Sequence, residues 1–140
     1  MVLYGEDIMN TDCQIVDGNI SAYEASLIMS ENRNGYIIIG TGKTPSGIVT
    51  EWDFVNRVVS KKLDPESVKL KEIMSAPLKS VPSNTPIKKL VDLMAKNSIR
   101  RLLVIDDGEL RGVITARDIL KFFDDYVSNI VEIAAKFGIS

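Results

Sequence analysis

Apolar residues in this chain fall into short groups of contrasting spacing, and the whole series of groups occurs twice. In the first half, Cys13 to Val16 is a short strand candidate followed by turn residues at Asp17, Gly18 and Asn19. Ala22, Ala25, Leu27, Ile28 and Met29 then form a helical apolar stripe. Tyr36 to Ile39 is a β-branched run without polar alternation, the pattern of a buried strand. A turn rich in Gly, Thr, Lys and Pro at 40–46 leads into the strand Gly47 to Thr50, and a helix follows from Glu51 to about Lys61.

The second half repeats this order. Lys79 to Val81 is the short strand, and Thr85 with Pro86 starts a helix in which proline takes the first helical position. Its stripe is Ile87, Leu90, Val91, Leu93 and Met94. Leu102 to Ile105 is the buried strand, Asp107 and Gly108 the hairpin turn, Leu110 to Thr115 the last strand, and a helix begins at Ala116. Each copy therefore reads β, α, β, β, α. Asp64 and Pro65 mark a turn in the connecting segment, which divides the chain into a first repeat at 1–62, a linker at 63–70, a second repeat at 71–125 and a helical extension at 126–140. In that extension Tyr126, Ile130, Ile133, Ala134 and Phe137 continue the helical spacing toward Gly138 with no counterpart in the first copy. The extension either packs on its own core or forms a dimer contact.

The copies align without gaps at an offset of sixty-five residues. Ile8 and Met9 fall on Ile73 and Met74, Val16 on Val81, Met29 on Met94, Gly47 on Gly112, Thr50 on Thr115 and Asp53 on Asp118. Solenoid repeats are shorter, about 20–50 residues, so this duplication predicts two small subdomains. A unit of about 60 residues buries only about 60% of its unfolded surface, and the two are expected to share an interface.

Charge and composition narrow the function. Seventeen Lys and Arg against nineteen Asp and Glu give a net charge of −2, without the basic excess of a duplex nucleic-acid binder. No basic patch with interleaved aromatics points to single strands. The apolar runs are far shorter than the roughly 20 residues of a membrane span, and no signal-peptide pattern opens the sequence, so the expected location is the cytoplasm. There is no histidine and only one cysteine, Cys13, which excludes an intrachain disulfide and a Cys/His zinc cluster. The commonest general base is missing as well, and the chain reads as a non-enzyme.

The chemical signal lies in Gly47 to Asp53, GIVTEWD, and its twin Gly112 to Asp118, GVITARD. A threonine followed three residues later by an acid at a helix start is a capping-box pattern. The same corner can hold a ligand. A helix N-terminus seats phosphate, a carboxylate in the first turn can accept the two hydroxyls of a ribose, and the preceding glycine lets another backbone or a flat base come close. Capping and binding are compatible, and both stay open on the residues alone.

With those segments in view, the chain resembles a pair of CBS domains, the cystathionine β-synthase type repeat or Bateman module, over about residues 5–125. The resemblance rests on Ile8-Met9 and Ile73-Met74, Thr85-Pro86, Met29 and Met94, the run Ile99 to Asp106, and the two Gly-apolar-apolar-Thr-x-x-Asp segments. It implies an α/β (α+β) fold in which two βαββα repeats pack with pseudo-two-fold symmetry. It further implies a regulatory sensor that binds an adenosine nucleotide (AMP, ADP or ATP) in clefts between the copies, forms a homodimer, and modulates a partner protein. S-adenosylmethionine or NAD is the alternative ligand class, and a protein-interaction scaffold the alternative role. Carried over by position, Asp53 and Asp118 hold ribose, with Thr50 and Thr115 on ribose or phosphate. Cys13, Ile15 and Val16, and likewise Lys79, Ser80 and Val81, line the base pocket, and Arg100 and Arg101 either meet phosphate or form a solvated or salt-bridged surface pair. Mg2+ would accompany only a triphosphate.

The first copy has Gly35 and Tyr36 where the second has the arginine pair, so two clefts of unequal affinity are expected. Trp52 either covers a ligand or packs at a dimer face. Gly40 to Thr44, GTGKT, ends like a phosphate-binding loop, but Ile37 stands where the pattern needs its first glycine and Pro45 follows. A hairpin turn is the expectation there, with Lys43 a secondary phosphate contact.

Overall fold

The computed structural model describes residues 2–76 and 78–138. Met1, Pro77, Ile139 and Ser140 lie outside them, so the 126–140 extension is followed as far as Gly138. The fold is mixed α/β, with two three-stranded sheets that repeat one plan.

One compact unit is built from residues 12–79 together with 107–110. Its elements are β1 (Ile15–Val16), α1 (Ala22–Asn32), β2 (Tyr36–Thr41), β3 (Thr44–Thr50) and α2 (Glu51–Phe54), which continues as a π-helical turn at Val55–Val59. β1 pairs in parallel with β2, Ile15 opposite Ile38, and β2 pairs antiparallel with β3, Tyr36 opposite Thr50. Ser21 caps α1 by accepting the Glu24 N–H at 3.0 Å. The apolar run 37–39 is buried as expected, and Ile37 and Ile39 pack with Ala22, Ala25, Met29, Val49, Val58 and Leu70. Leu27, placed on the buried stripe by its spacing, is instead exposed. The hairpin turn is tighter than the composition of 40–46 suggests, because β3 already begins at Thr44 and only Gly42 and Lys43 turn the chain. Gly42 takes positive φ there, and the Lys43 carbonyl accepts the N–H of Leu110.

The second unit comprises residues 2–11, 80–106 and 111–138. It contains β4 (Ser80–Val81), α3 (Ile87–Asn97), β5 (Arg101–Asp106), β6 (Glu109–Thr115) from Arg111 onward and α4 (Ala116–Lys136), preceded in the chain by a one-turn helix at Gly5–Ile8. Sheet order is β4-β5-β6, with Ser80 opposite Leu103 and Val81 opposite Val104. Val81, Ile87, Leu90, Met94, Leu102, Val104, Ile114 and Ile119 form its core. Pro86 does not occupy the first helical position. It is the extended N-cap residue of α3, and Thr85 before it is buried with its hydroxyl donated to the Pro82 carbonyl. Val91, expected on the stripe, is exposed. The helix opened by Ala116 runs unbroken for 21 residues, and Tyr126, Ile130, Ile133 and Phe137 along it are exposed, so the extension does not pack on its own core.

The compact units exchange the heads of the sequence repeats. Asn10, from the start of the chain, bridges Val113 with paired backbone hydrogen bonds of 2.9 and 3.0 Å. Ser75 bridges Ile48 in the same way in the other unit, at 2.9 and 3.3 Å. Gly112 and Gly47 make these approaches possible. A methyl group on Gly112 would sit 2.9 Å from the Asn10 carbonyl oxygen, and one on Gly47 would meet the Met74 side chain. Gly112 therefore admits another backbone segment, one of the two roles left open by the sequence, and Gly47 admits a side chain.

Candidate functional site

In each unit the sheet brings the family-type residues to one end. Thr115 closes β6 and Arg101 opens β5, and the Ala116 N–H donates to the Arg100 carbonyl at 2.9 Å. Ser80, opposite Leu103, lies at the same end. One edge of that unit therefore gathers Ser80, Arg100, Arg101, Thr115 and Asp118. In the other unit the Glu51 N–H donates to the Gly35 carbonyl at 3.0 Å, which places Thr50 and Asp53 beside Gly35 and Tyr36. Cys13, two residues ahead of Ile15, enters the sheet at that end.

The local fold at each corner follows from the Thr-x-x-Asp spacing. Thr115 and Asp118 form the complete capping box: the Thr115 hydroxyl accepts the Asp118 N–H at 3.0 Å, and Asp118 Oδ2 accepts the Thr115 N–H at 3.0 Å. Asp118 is half-buried. Among the described residues its Oδ1 takes no hydrogen bond or ion pair, so one oxygen remains available to a ligand hydroxyl.

Asp53 is committed elsewhere. It is 5% exposed, and its Oδ2 accepts the Thr50 N–H at 2.8 Å and the Thr50 hydroxyl at 3.4 Å. Its Oδ1 faces Arg57 Nε at 3.8 Å, one helical turn on. The same guanidinium donates from Nη1 to the carbonyls of Ile73 and Met74 at 3.1 and 3.0 Å. Arg57 was not among the expected site residues. Its signal was nonetheless present, an Asp and Arg at i, i+4 on a helix, with Phe122 at the equivalent position of the second copy.

The remaining residues divide by exposure. Lys79, Ser80 and Arg100 are exposed, Arg101 is half-buried, and Cys13, Ile15 and Val16 are partly buried. Val81 turns into the core of its unit. Burial first, then the neighbouring Asp12 charge, pushes the Cys13 thiol pKa up, away from the reactive thiolate. Trp52, on the first turn of α2, is 65% exposed. Among the described residues no cluster of three or more His, Cys, Asp or Glu side chains is placed to hold a metal ion, and no helix is long and apolar enough to cross a membrane.

Comparison with known proteins bears on the fold and the repeat. The family model described as CBS domain matches twice, at residues 6–60 and 70–125. An uncharacterized protein of Methanocaldococcus jannaschii is 29% identical over 122 residues, and one of Methanopyrus kandleri is 38% identical over 119. The alignments take in 85% and 84% of this chain but 66% and 61% of those proteins, so the chain spans less than two thirds of their length. Among solved structures, the hexameric CBS-CP12 protein from bloom-forming cyanobacteria superposes with a TM-score of 0.78 at 29% identity, over 99% of this chain and 86% of that one.

Proposed function

The chain belongs to the CBS domain family, as a tandem pair, and from that premise we propose that it is a regulatory sensor of an adenosine nucleotide, with Asp118 as its principal ribose contact. The observation that supports this reading is the corner at the N-terminus of α4. A capping threonine, an aspartate with one uncommitted oxygen and two arginines share one sheet edge there. The carboxylate suits vicinal hydroxyls, and the guanidinium groups suit phosphate. The helix terminus adds donors and positive dipole for an anion.

On this reading Asp53 contributes less to binding, because a ligand hydroxyl there competes with Arg57 for a buried oxygen. Cys13, Ile15, Val16, Lys79 and Ser80 border the base, and Val81 supports that strand from the core. A triphosphate brings its own Mg2+. The role is regulatory rather than catalytic, and the report goes to a partner protein. A ligand shifts such a module only by its differential affinity for two arrangements.

Titration calorimetry of the purified chain with AMP, ADP and ATP, alongside mass spectrometry of any ligand it releases, tests the reading. Saturable binding of at least one of them, with the nucleotide recovered unchanged, is expected. Failure of all three to bind, with S-adenosylmethionine or NAD binding instead, reassigns the ligand. Failure of all five leaves the interaction-scaffold role in its place.

A further inference from the structure

Asn34 and Gly35 are the chain's one Asn-Gly pair, and they stand in the short connection between α1 and β2. Arg33 closes α1 in the left-handed region at φ 55°, and the Asn34 N–H donates to the Met29 carbonyl at 3.0 Å. β2 begins only at Tyr36. The Asn34 side chain and the Gly35 nitrogen therefore lie outside both hydrogen-bonded elements. Asn34 is exposed, and among the described residues neither its side-chain amide nor the Gly35 N–H takes a hydrogen bond. Asn97 supplies the contrast: it also precedes a small residue, Ser98, at the end of the corresponding helix α3. There Asn97 Nδ2 donates to the Leu93 carbonyl at 2.8 Å and the Ser98 N–H donates to the Ala95 carbonyl at 3.4 Å, so both groups are engaged.

We propose that Asn34 is a site of spontaneous deamidation in the folded chain, which sets a carboxylate beside the corner of Thr50 and Asp53. The Gly35 nitrogen gives up its proton to hydroxide and attacks Asn34 Cγ. A C–N bond forms and closes a succinimide ring, while the Cγ–Nδ2 bond breaks and Nδ2 takes a proton from water and leaves as ammonia. Glycine favours the closure because no Cβ crowds the attacking nitrogen, and an exposed connection gives the side chain freedom to reach it. Water then opens the ring. Addition at Cγ leaves aspartate in an ordinary main chain. Addition at the main-chain carbonyl carbon of Asn34 leaves isoaspartate, whose link to Gly35 runs through Cβ and Cγ with the former main-chain carboxyl free. No electrons are transferred, and water is the only co-reactant.

The position gives the change its consequence. The Gly35 carbonyl accepts the Glu51 N–H at 3.0 Å, directly after Thr50. In the second unit the equivalent carbonyl belongs to Arg100, whose side chain brings a positive charge. Deamidation adds a negative charge to the first corner, so it drives the two corners further apart. Isoaspartate also lengthens the main chain by one methylene just ahead of the carbonyl that holds Glu51. The modification needs no ligand and stands apart from the nucleotide reading.

Ageing the folded full chain in mildly alkaline buffer, followed by peptide mass mapping, tests the proposal. The peptide holding Asn34 should gain the amide-to-acid mass increment while the Asn97 peptide stays unchanged, and the rate should rise with pH because the attacking nitrogen is the deprotonated one. Hydroxylamine, which cleaves succinimides, should split the folded chain into fragments 1–34 and 35–140. Asn34→Gln should lose both signals. The isoaspartate form, separated by ion exchange, should melt below Asn34→Asp, which carries the same charge on an ordinary main chain. Cleavage of the urea-unfolded chain but not of the folded one would show that the fold protects the site and would overturn the proposal. Deamidation of Asn97 at an equal rate overturns it as well, and equal melting of the isoaspartate form and Asn34→Asp removes the effect on the corner.

Discussion

The corners at Thr50-Asp53 and Thr115-Asp118 carry one motif and hold it in two states. At the second, the aspartate completes a reciprocal cap and keeps an oxygen uncommitted. At the first, the aspartate is buried and paired with Arg57, which in turn grips the carbonyls of Ile73 and Met74. Arg57, with Phe122 at the equivalent position of the second copy, ties the first carboxylate into the fold; on the proposed reading the second is the one that meets a ligand. A shared motif thus fixes the backbone of a corner, while the residue one turn later decides what the corner is available to do.

The strongest way to break this contrast is to remove each carboxylate in turn. Asp118→Ala should weaken the best-bound adenine nucleotide about ten- to 150-fold, the loss of roughly 1.5–3 kcal/mol for a charged hydrogen bond. Asp53→Ala should change that affinity less. Calorimetry that finds two equal, independent sites, or equal losses in the two variants, would end the distinction.

Stability should rank the two the other way. Asp53→Ala removes a buried acceptor and the anchor of Arg57, and is expected to cost about 2 kcal/mol, after allowance for the exposure of the guanidinium. Asp118→Ala removes a half-exposed cap and should cost about 1 kcal/mol. Urea denaturation of both variants gives the comparison directly.

The exchanged heads provide a subtler test. A methyl at Gly112 meets the main-chain carbonyl of Asn10, which cannot yield without breaking the bridge to Val113. At Gly47 the nearest atoms belong to the Met74 side chain, whose flexible end can move aside. Gly112→Ala should therefore destabilise by about 1–3 kcal/mol, and Gly47→Ala by less. Equal midpoints for the two variants would show that both heads yield alike.

The smallest expected effect concerns pH. The Ser83 hydroxyl and N–H hold the Asp106 carboxyl below its ordinary pKa, with a lesser contribution from Arg111 at 3.0 Å. The first copy has Thr41, Gly18 and Ser46 at the corresponding places, so this tie belongs to one unit alone. Because the folded-state value is depressed, its stabilisation is present at neutral pH and disappears as pH falls through that value. Asp106→Asn should flatten the acid-side fall in melting temperature; an unaltered acid limb would remove Asp106 from the account.

Much of this was legible in the chain. Helical and strand spacings, the Asp107-Gly108 turn and both Thr-x-x-Asp caps depend on neighbours within a few residues, and the offset of sixty-five identified the family plan. The misplacements were local: Leu27 and Val91 are apolar but lie off the buried face, and Pro86 stops just outside the helix it was expected to begin. Arg57 was readable as an i, i+4 partner, yet its importance rests on carbonyls sixteen and seventeen residues away.

By itself, then, the sequence determined the order of the elements, the two corner motifs and the inequality between Arg100-Arg101 and Gly35-Tyr36, because period, turn chemistry and capping act over one or two turns of chain. Only the tertiary structure decided that each repeat's head packs in the other unit, that Asp53 is buried under Arg57 while Asp118 keeps an oxygen uncommitted, and that the far half of α4 is left bare. Those outcomes depend on which distant segments exclude water from one another, and no local pattern encodes that.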